Sequence, residues 1–185
     1  MEIQHRTELV KLMEFYDLPL TAAEIGVAEG YNSADLLNSG IEKLYMVDAW
    51  QTLNQKGDGA FSQEWHAENY SKATERVKKF GNKAIILRGL STEVCAHVPD
   101  NSLGLLYIDC DHSYDGVMND LKAWWPKVVE CGIISGHDYL NAAYGVYKAV
   151  HDFTEGLIEI HLIPENKHDD AGFYFIKKTK HADTV

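Results

Sequence analysis

Short apolar runs alternate with longer amphipathic stretches along most of the chain. The runs are rich in β-branched and aromatic residues, whereas the stretches between them carry apolar residues at helical spacing. The pattern predicts five strands, at residues 23–27, 43–49, 83–88, 102–109 and 132–138. It predicts helices at residues 3–16, 33–39, 63–80, 115–130 and 143–155. Such alternation builds a parallel sheet with helices on both faces, because each crossover between parallel strands covers one face.

Two more apolar runs close the chain, at residues 157–165 and 171–179. The polar segment between them, Asn-Lys-His-Asp-Asp, has the length of a hairpin loop. We therefore expect an antiparallel hairpin at the end of a mostly parallel α/β sheet. Residues 51–62 form the longest turn-rich segment after a strand and are the predicted lid.

Capping and breaking residues set the expected helix ends. Asn32 or Ser33 is expected to cap the helix at 33–39. Pro126 is expected to kink or shorten the helix at 115–130, which closes at Cys131 and Gly132.

Composition narrows the classes of protein and partner. The 185 residues include 28 acidic and 17 basic side chains, for a formal net charge of −11. This length favours one domain over residues 1–185, with a helix within 1–18 and the core within 20–180. Nucleic acid and anionic membranes are disfavoured as partners, because both are bound through clustered Lys and Arg. A small molecule is the expected substrate. The composition does not determine whether the protein forms a homo-oligomer, which is possible.

The cysteines and the N-terminus bear on the compartment. Cys95, Cys110 and Cys131 are odd in number and too widely spaced for a metal ribbon or a CxxC pair, so we expect free, mostly buried thiols. The N-terminus lacks the apolar centre of a secretion signal, and no segment approaches about 18 continuous apolar residues. The expected location is the cytoplasm.

Small residues follow the first strand, and a carboxylate follows the second. Ligands of an open parallel sheet bind beyond the carboxyl ends of its strands. Gly26 and Ala28 would let a ligand approach the backbone, with Gly30 completing a turn that opens a helix. Asp48, 22 residues beyond Gly26, could accept hydrogen bonds from both hydroxyls of a ribose. These residues indicate a nucleoside-containing cofactor; the alternative is a structural turn with a solvated Asp48.

Two acidic neighbours of this turn bear on the kind of cofactor. Glu24 and Glu29 would repel a pyrophosphate but could face an ammonium or sulfonium charge. S-adenosylmethionine fits this description better than NAD does.

Acidic and imidazole side chains follow the fourth and fifth strands. Neighbouring strands would bring Asp109, His137 and Asp138 to one edge, where two carboxylates and an imidazole could bind a divalent cation. Asp111 or His112 could then act as the general base on a substrate hydroxyl. The alternative is that these residues only cap the helices that follow.

Two further positions have both a ligand-binding and a structural interpretation. Trp50 follows Asp48 and Ala49 and could cover an adenine edge, or it could pack in the core. Ser91, after the third strand, could contact the adenine, or Ser91 or Thr92 could cap a helix.

The motifs AEIGVAEGYNSADLL, YMVDAW, LRGLSTEV, IDCDHSYDGVMNDLKAW and CGIISGHDY carry a resemblance. Together they resemble the class I S-adenosylmethionine-dependent methyltransferases, in particular the methyltransferase domain 24 family with its macrocin-type sugar O-methyltransferases. The resemblance covers about residues 20–180. It implies a single Rossmann-like, doubly wound sheet of strand order 3-2-1-4-5-7-6.

The resemblance also implies roles for individual residues. The methionine end of the cofactor would lie by Glu24, Gly26 and Gly30, the ribose on Asp48, and the adenine near Ser91. The implied cofactor-binding set is Glu24, Gly26, Gly30, Asp48, Ala49, Trp50, Ser91 and Asp109. The implied ligands of magnesium or manganese are Asp109, His137 and Asp138, with Asp111 or His112 as the base.

Two positions depart from the pattern of the family. Relatives often have a carboxylate in place of His137, and an imidazole favours manganese, iron or zinc over magnesium. Cys131 replaces the first of two glycines, a change that we expect to matter little.

The leading hypothesis is methyl transfer from S-adenosylmethionine to a hydroxyl oxygen of a small molecule, assisted by a divalent cation. A metal-dependent hydrolase built on the Asp and His cluster is the second hypothesis, and a non-catalytic binding domain of the same fold is the third. A bulky residue at Gly26 is expected to stop methyl transfer and to spare hydrolysis.

Overall fold

The computed structural model describes residues 2–52, 61–165 and 170–178. Most of the predicted lid, and most of the polar loop between the last two strands, lie outside the described residues. The strands are β1 (Thr21–Ile25), β2 (Lys43–Asp48), β3 (Ala84–Arg88), β4 (Leu103–Ile108), β5 (Val128–Gly136), β6 (His161–Ile163) and β7 (Gly172–Ile176). The α-helices are α1 (Leu9–Phe15), α2 (Tyr31–Asn38), α3 (Gln63–Val77), α4 (Ser91–Val94), α5 (Tyr114–Trp124) and α6 (Val146–Thr154).

The seven strands form one sheet in the order β3-β2-β1-β4-β5-β7-β6, which confirms the predicted fold. The pairs among β1 to β5 are parallel, whereas β7 pairs antiparallel with both β5 and β6. One buried cluster joins the sheet to α1, α2 and α3, and another joins its opposite face to α4, α5 and α6. Among the described residues, none of the helices has the length and apolar character that a membrane crossing requires.

The predicted helix at 115–130 is too long. It ends at Trp124, a short 3₁₀ turn follows, and β5 begins at Val128, four residues before the predicted start. Pro126 cannot continue the helix because it has no N–H to donate. The buried Lys177 Nζ donates hydrogen bonds to the carbonyls of Trp125 (2.9 Å) and Val128 (2.7 Å). These carbonyls, between the end of α5 and the start of β5, therefore have a hydrogen-bond donor.

Two smaller expectations are also wrong. The residue that caps α2 is Gly30, with φ +76°, while the side chains of Asn32 and Ser33 turn inward to hydrogen-bond Glu24. The cysteines are free but not mostly buried, since Cys110 and Cys131 are exposed.

Cys131 has a left-handed backbone, φ +61°, where the strand register between β4 and β5 is irregular. The substitution by cysteine therefore has a conformational cost, contrary to expectation, because a side chain is disfavoured at this φ by roughly 1–2 kcal/mol. We predict that Cys131→Gly raises the free energy of unfolding by about 0.5–1 kcal/mol, after the added flexibility of the unfolded chain is subtracted. Urea denaturation measures this change, and a lower free energy of unfolding would contradict it.

Candidate active site

A cavity of about 600 Å³ opens at the carboxyl ends of β1 to β4. It contains most of the residues that the sequence nominates. Those lining it are Gly26, Asp48, Ala49, Trp50, Ser91, Asp109, Asp111 and His112. Glu24, Gly30, His137 and Asp138 are not among the lining residues. A second cavity of about 620 Å³, between α5 and α6, contains none of the nominated residues.

The turn after β1 passes very close to the loop after β4. Gly26 has φ +89°, and a Cβ at this position would lie 1.9 Å from the carbonyl oxygen of Asp109. Gly30 has a different function, because a Cβ there would lie 3.1 Å from the Cα of Ala73 in α3. The lack of a side chain at Gly26 therefore lets the loops after β1 and β4 approach each other. The lack of a side chain at Gly30 lets α2 and α3 pack closely.

Three non-glycine residues near this edge have a left-handed backbone: Ala28 (φ +47°), Trp50 (φ +42°) and Asp138 (φ +56°). Such conformations cost about 1–3 kcal/mol each and collect at functional sites, where the surrounding structure holds them. Ala28 and Trp50 line the cavity, and Asp138 is one of the nominated metal ligands.

Asp48 holds the end of β2 to the turn after β1. Its Oδ2 accepts hydrogen bonds from the backbone N–H groups of Val27 (3.0 Å) and Ala28 (2.9 Å), and its Oδ1 accepts one from Trp50 (2.7 Å). A carboxylate has about four accepting positions. One position is thus left for a ligand hydroxyl, and the backbone contacts fix the direction of the carboxylate.

Of the two alternatives for Trp50, the structure shows packing in the core. Its side chain is 1% exposed, its indole N–H donates to the carbonyl of Ala28 (2.9 Å), and its ring lies 5.1 Å from that of Tyr70. Arg88 hydrogen-bonds the carbonyls of Ala49 (3.5 Å) and Trp50 (3.1 Å). Trp50 therefore forms a wall of the cavity and is held rigidly in it.

The two acids expected to face a sulfonium are not directed into the cavity. Glu24 is 2% exposed and accepts hydrogen bonds from Asn32 (3.0 Å) and Ser33. Burial raises the pKa of Glu24 to about 8, so this carboxyl is largely neutral at pH 7. Glu29 instead pairs with Lys72 (2.9 Å). Among the described residues, the carboxylates that line the cavity are those of Asp48, Asp109, Asp111 and Asp120.

The buried Glu24 predicts a pH-dependent stability. Its pKa is about 8 in the folded protein against an ordinary value of 4.5, so between these values the unfolded chain loses a proton that the folded protein keeps. The free energy of unfolding therefore falls as pH rises, by up to about 1.4 kcal/mol per pH unit. Glu24→Gln should remove this contribution, so that the variant gains stability relative to the parent from pH 5 to 8.

Urea denaturation across this pH range tests the prediction, with Glu42→Gln, at an exposed position, as the control for loss of a carboxylate. Parallel curves for the parent and the Glu24→Gln variant would contradict it.

Asp109, His137 and Asp138 lie together at the ends of β4 and β5. One potential ligand atom from each lies within 4.8 Å of the others. The parallel pairing of Ile108 with Gly136 accounts for this, because it sets the residues after both strands side by side. Burial raises the pKa of Asp138, but the hydrogen bond from His137 and the electrostatic interactions with His137 and His112 outweigh burial, so the pKa is lowered overall.

The two candidates for the base have different surroundings. The Nε2 of His112 lies 3.3 Å from Oδ1 of Asp109 and 3.2 Å from Oδ2 of Asp138. Its ring stacks on Tyr144 at 4.6 Å. Asp111 Oδ1 accepts a hydrogen bond from the backbone N–H of Ser113 (2.9 Å), which caps α5. His112 is therefore the candidate next to the nominated metal ligands.

Ser91 is the first residue of α4, and Leu90 is the capping residue. Its hydroxyl donates to Oδ1 of Asp120, a residue of α5 that is 4% exposed and lines the cavity. Burial raises the pKa of Asp120 to about 6. The sequence reasoning missed Asp120, although an acid beside the apolar positions of Val117 and Leu121 is a recognisable signal.

Three ring-bearing residues at the start of α3 were also missed. Phe61 and Trp65 stack at 4.1 Å, and both line the cavity beside His66. The Nε2 of His66 is buried and has no hydrogen-bond partner among the described residues. The available signal was a group of ring-bearing residues, with Phe61 near the end of the predicted lid and Trp65 and His66 just after it.

Solved structures of low sequence identity share the fold. The O-methyltransferase NovP is 18% identical with a TM-score of 0.67, over 93% of this chain and 77% of that one. CalS11, a calicheamicin methyltransferase, is 15% identical with a TM-score of 0.65, over 94% and 80%. An O-methyltransferase from Bacillus cereus in complex with SAH is 12% identical with a TM-score of 0.63, over 92% and 80%.

Sequence comparison gives one partial relative and one family. An uncharacterized protein, y4gI, of Sinorhizobium fredii (strain NBRC 101917 / NGR234) is 27% identical over 94 residues, which are 51% of this chain and 10% of that protein. The chain thus spans only a small part of the length of this curated relative. A family model described as "Methyltransferase domain" (Methyltransf_24) matches residues 23–139. Since this match covers more than half of the chain, the protein belongs to that methyltransferase family.

Proposed function

We propose that this protein transfers the methyl group of S-adenosylmethionine to a hydroxyl oxygen of a small molecule, with the help of a divalent cation. The observation that carries the proposal is the position of Asp109. It lines the cavity and also belongs to the group of potential metal ligands. A cofactor in the cavity and a cation beside it would therefore meet at one residue.

The order of the strands sets the direction in which the cofactor would lie. Asp48, at the end of β2, would hold the ribose through its remaining accepting position. The sheet continues to β3 on one side of β2 and to β1, β4 and β5 on the other. The adenine would lie towards β3 and the sulfonium towards β4, close to the nominated metal ligands.

The donor set of Asp109, His137 and Asp138 fits a divalent cation. Two carboxylates and one imidazole suit manganese in particular, and three ligands leave positions for water and substrate oxygens. A cation bound there would lower the pKa of an acceptor hydroxyl.

Residues beside the nominated metal ligands would remove the proton and orient the reactants. His112 would accept the proton of the hydroxyl, and Asp111 is the alternative base. The acceptor oxygen then forms a bond to the methyl carbon as the bond from sulfur to that carbon breaks, and S-adenosylhomocysteine leaves. The chain supplies mainly orientation for this in-line displacement.

Two further facts support the cofactor and the acceptor. Solved neighbours are named as O-methyltransferases, one of them in complex with SAH, which supports an oxygen acceptor and this cofactor. The net charge of −11 favours a small-molecule acceptor over nucleic acid.

Calorimetry with S-adenosylhomocysteine tests the proposal. We expect one site per chain, and we expect NAD to bind far more weakly because acidic side chains line the cavity. Failure of S-adenosylhomocysteine to bind at millimolar concentration would overturn the proposed function.

A further inference from the structure

We infer that Asp120 selects the adenine base of the cofactor by accepting a hydrogen bond from its exocyclic amine. This inference rests on the proposed function and extends it to a residue of α5. No role in binding follows for Asp120 from the arguments above, since neither the ribose site nor the metal ligands require it.

The position of Asp120 in the cavity is the first step. With the ribose on Asp48 and the sulfonium towards β4, the base must extend towards the loop after β3. Gly89, Leu90 and Ser91 of that loop line the cavity, and so does Asp120. Asp120 also accepts a hydrogen bond from Ser91 and therefore lies beside the loop after β3.

The second step is the hydrogen bonding of the Asp120 carboxylate. Its side chain is 4% exposed, and among the described residues its hydrogen-bond partner is the hydroxyl of Ser91, which donates to Oδ1. A carboxylate accepts about four hydrogen bonds, and a buried one is costly when it accepts few. Asp120 thus has unused accepting capacity in a place where a ligand would exclude water.

The third step is the chemistry of the base. The exocyclic amine of adenine is a donor, whereas hypoxanthine carries a carbonyl oxygen at the same position. A carboxylate can accept from the amine but would repel the carbonyl oxygen. Asp111, which also lines the cavity, adds negative charge near Asp120 and strengthens this preference.

The experiment compares the affinities of S-adenosylhomocysteine and S-inosylhomocysteine by calorimetry. The parent protein should prefer the adenine compound at least tenfold, the value expected for one hydrogen bond to a charged group. In Asp120→Asn the amide can donate to the hypoxanthine carbonyl. We therefore expect a loss of at least tenfold in affinity for S-adenosylhomocysteine and a preference below threefold.

Asp115→Asn is the matched control, because it makes the same chemical change on the same helix at an exposed position that does not line the cavity. It should keep the affinity and preference of the parent. A purely structural bond between α4 and α5 would lower the melting temperature of Asp120→Asn without changing its preference between the two bases.

Two results would overturn the inference: equal affinity of the parent for both compounds, or an unchanged preference in Asp120→Asn. The first measurement needs no variant, so it decides the matter even if Asp120→Asn fails to fold. A parent protein that binds neither compound would instead overturn the proposed function, and the inference with it.

Discussion

Gly26→Ala is expected to abolish binding of S-adenosylhomocysteine. The new Cβ would lie 1.9 Å from the carbonyl oxygen of Asp109 and 2.8 Å from the Cα of Cys110, so the two loops must separate. Both loops line the cavity, and we expect the affinity to fall more than 100-fold. The free energy of unfolding should fall by roughly 2–4 kcal/mol, because backbone conformation and packing are both disturbed.

Gly156→Ala is the matched control for this variant. Gly156 has φ +66°, and a Cβ there would meet nothing within 4 Å. It therefore carries the backbone strain without the collision. We expect Gly156→Ala to cost about 1 kcal/mol of stability and to leave the affinity unchanged. Calorimetry and urea denaturation measure both, and full binding by Gly26→Ala would contradict the described approach of the two loops.

Gly26 does not, however, separate methyl transfer from metal-dependent hydrolysis as the sequence suggests. A side chain at Gly26 would strike the backbone of Asp109, which is itself a nominated metal ligand. Both activities would then be lost together. Asp120→Asn separates them better, because Asp120 contacts Ser91 and does not belong to the group of potential metal ligands, so the change should leave a hydrolytic centre intact.

Asp138→Asn is expected to lower the affinity for manganese at least 100-fold and the rate of methyl transfer at least 1000-fold. The loss follows from removal of a charged ligand beside His137 and His112, which lie 3.0 and 3.2 Å from Oδ2 of Asp138. Asn is the suitable replacement because, like Asp, it tolerates the left-handed backbone of this position. Manganese binding followed by electron paramagnetic resonance measures the first effect.

The affinity of Asp138→Asn for S-adenosylhomocysteine should stay within a few-fold of the parent, because Asp138 does not line the cavity. Asp152→Asn is the control, since Asp152 is a solvent-facing carboxylate paired with Lys148. Unchanged manganese affinity in Asp138→Asn would show that the cation binds elsewhere.

The strand order and the grouping of Asp109, His137 and Asp138 are accessible to sequence reasoning for a physical reason. Apolar periodicity identifies parallel strands, and the carboxyl ends of neighbouring parallel strands meet at one edge. The structure confirms this fold, and it brings the three side chains together.

Other features depend on packing between elements far apart in the sequence. That Glu24 lies under Asn32 and Ser33 follows from how α2 seats on β1. The sequence could not show that three backbone N–H groups donate to the carboxylate of Asp48. Nor could it show that Ser91 of α4 donates to Asp120 of α5. Lys177, which donates a hydrogen bond to the carbonyl of Trp125 just after α5, lies 52 residues from it in the sequence.

The most direct test of the account is a crystal structure with S-adenosylhomocysteine and manganese. It should show the cofactor product in the cavity, with its ribose on Asp48 and the exocyclic amine of its adenine beside Asp120. An anomalous peak for manganese should lie within bonding distance of Asp109, His137 and Asp138. Manganese bound away from these three residues, or a ligand outside the cavity, would contradict the account.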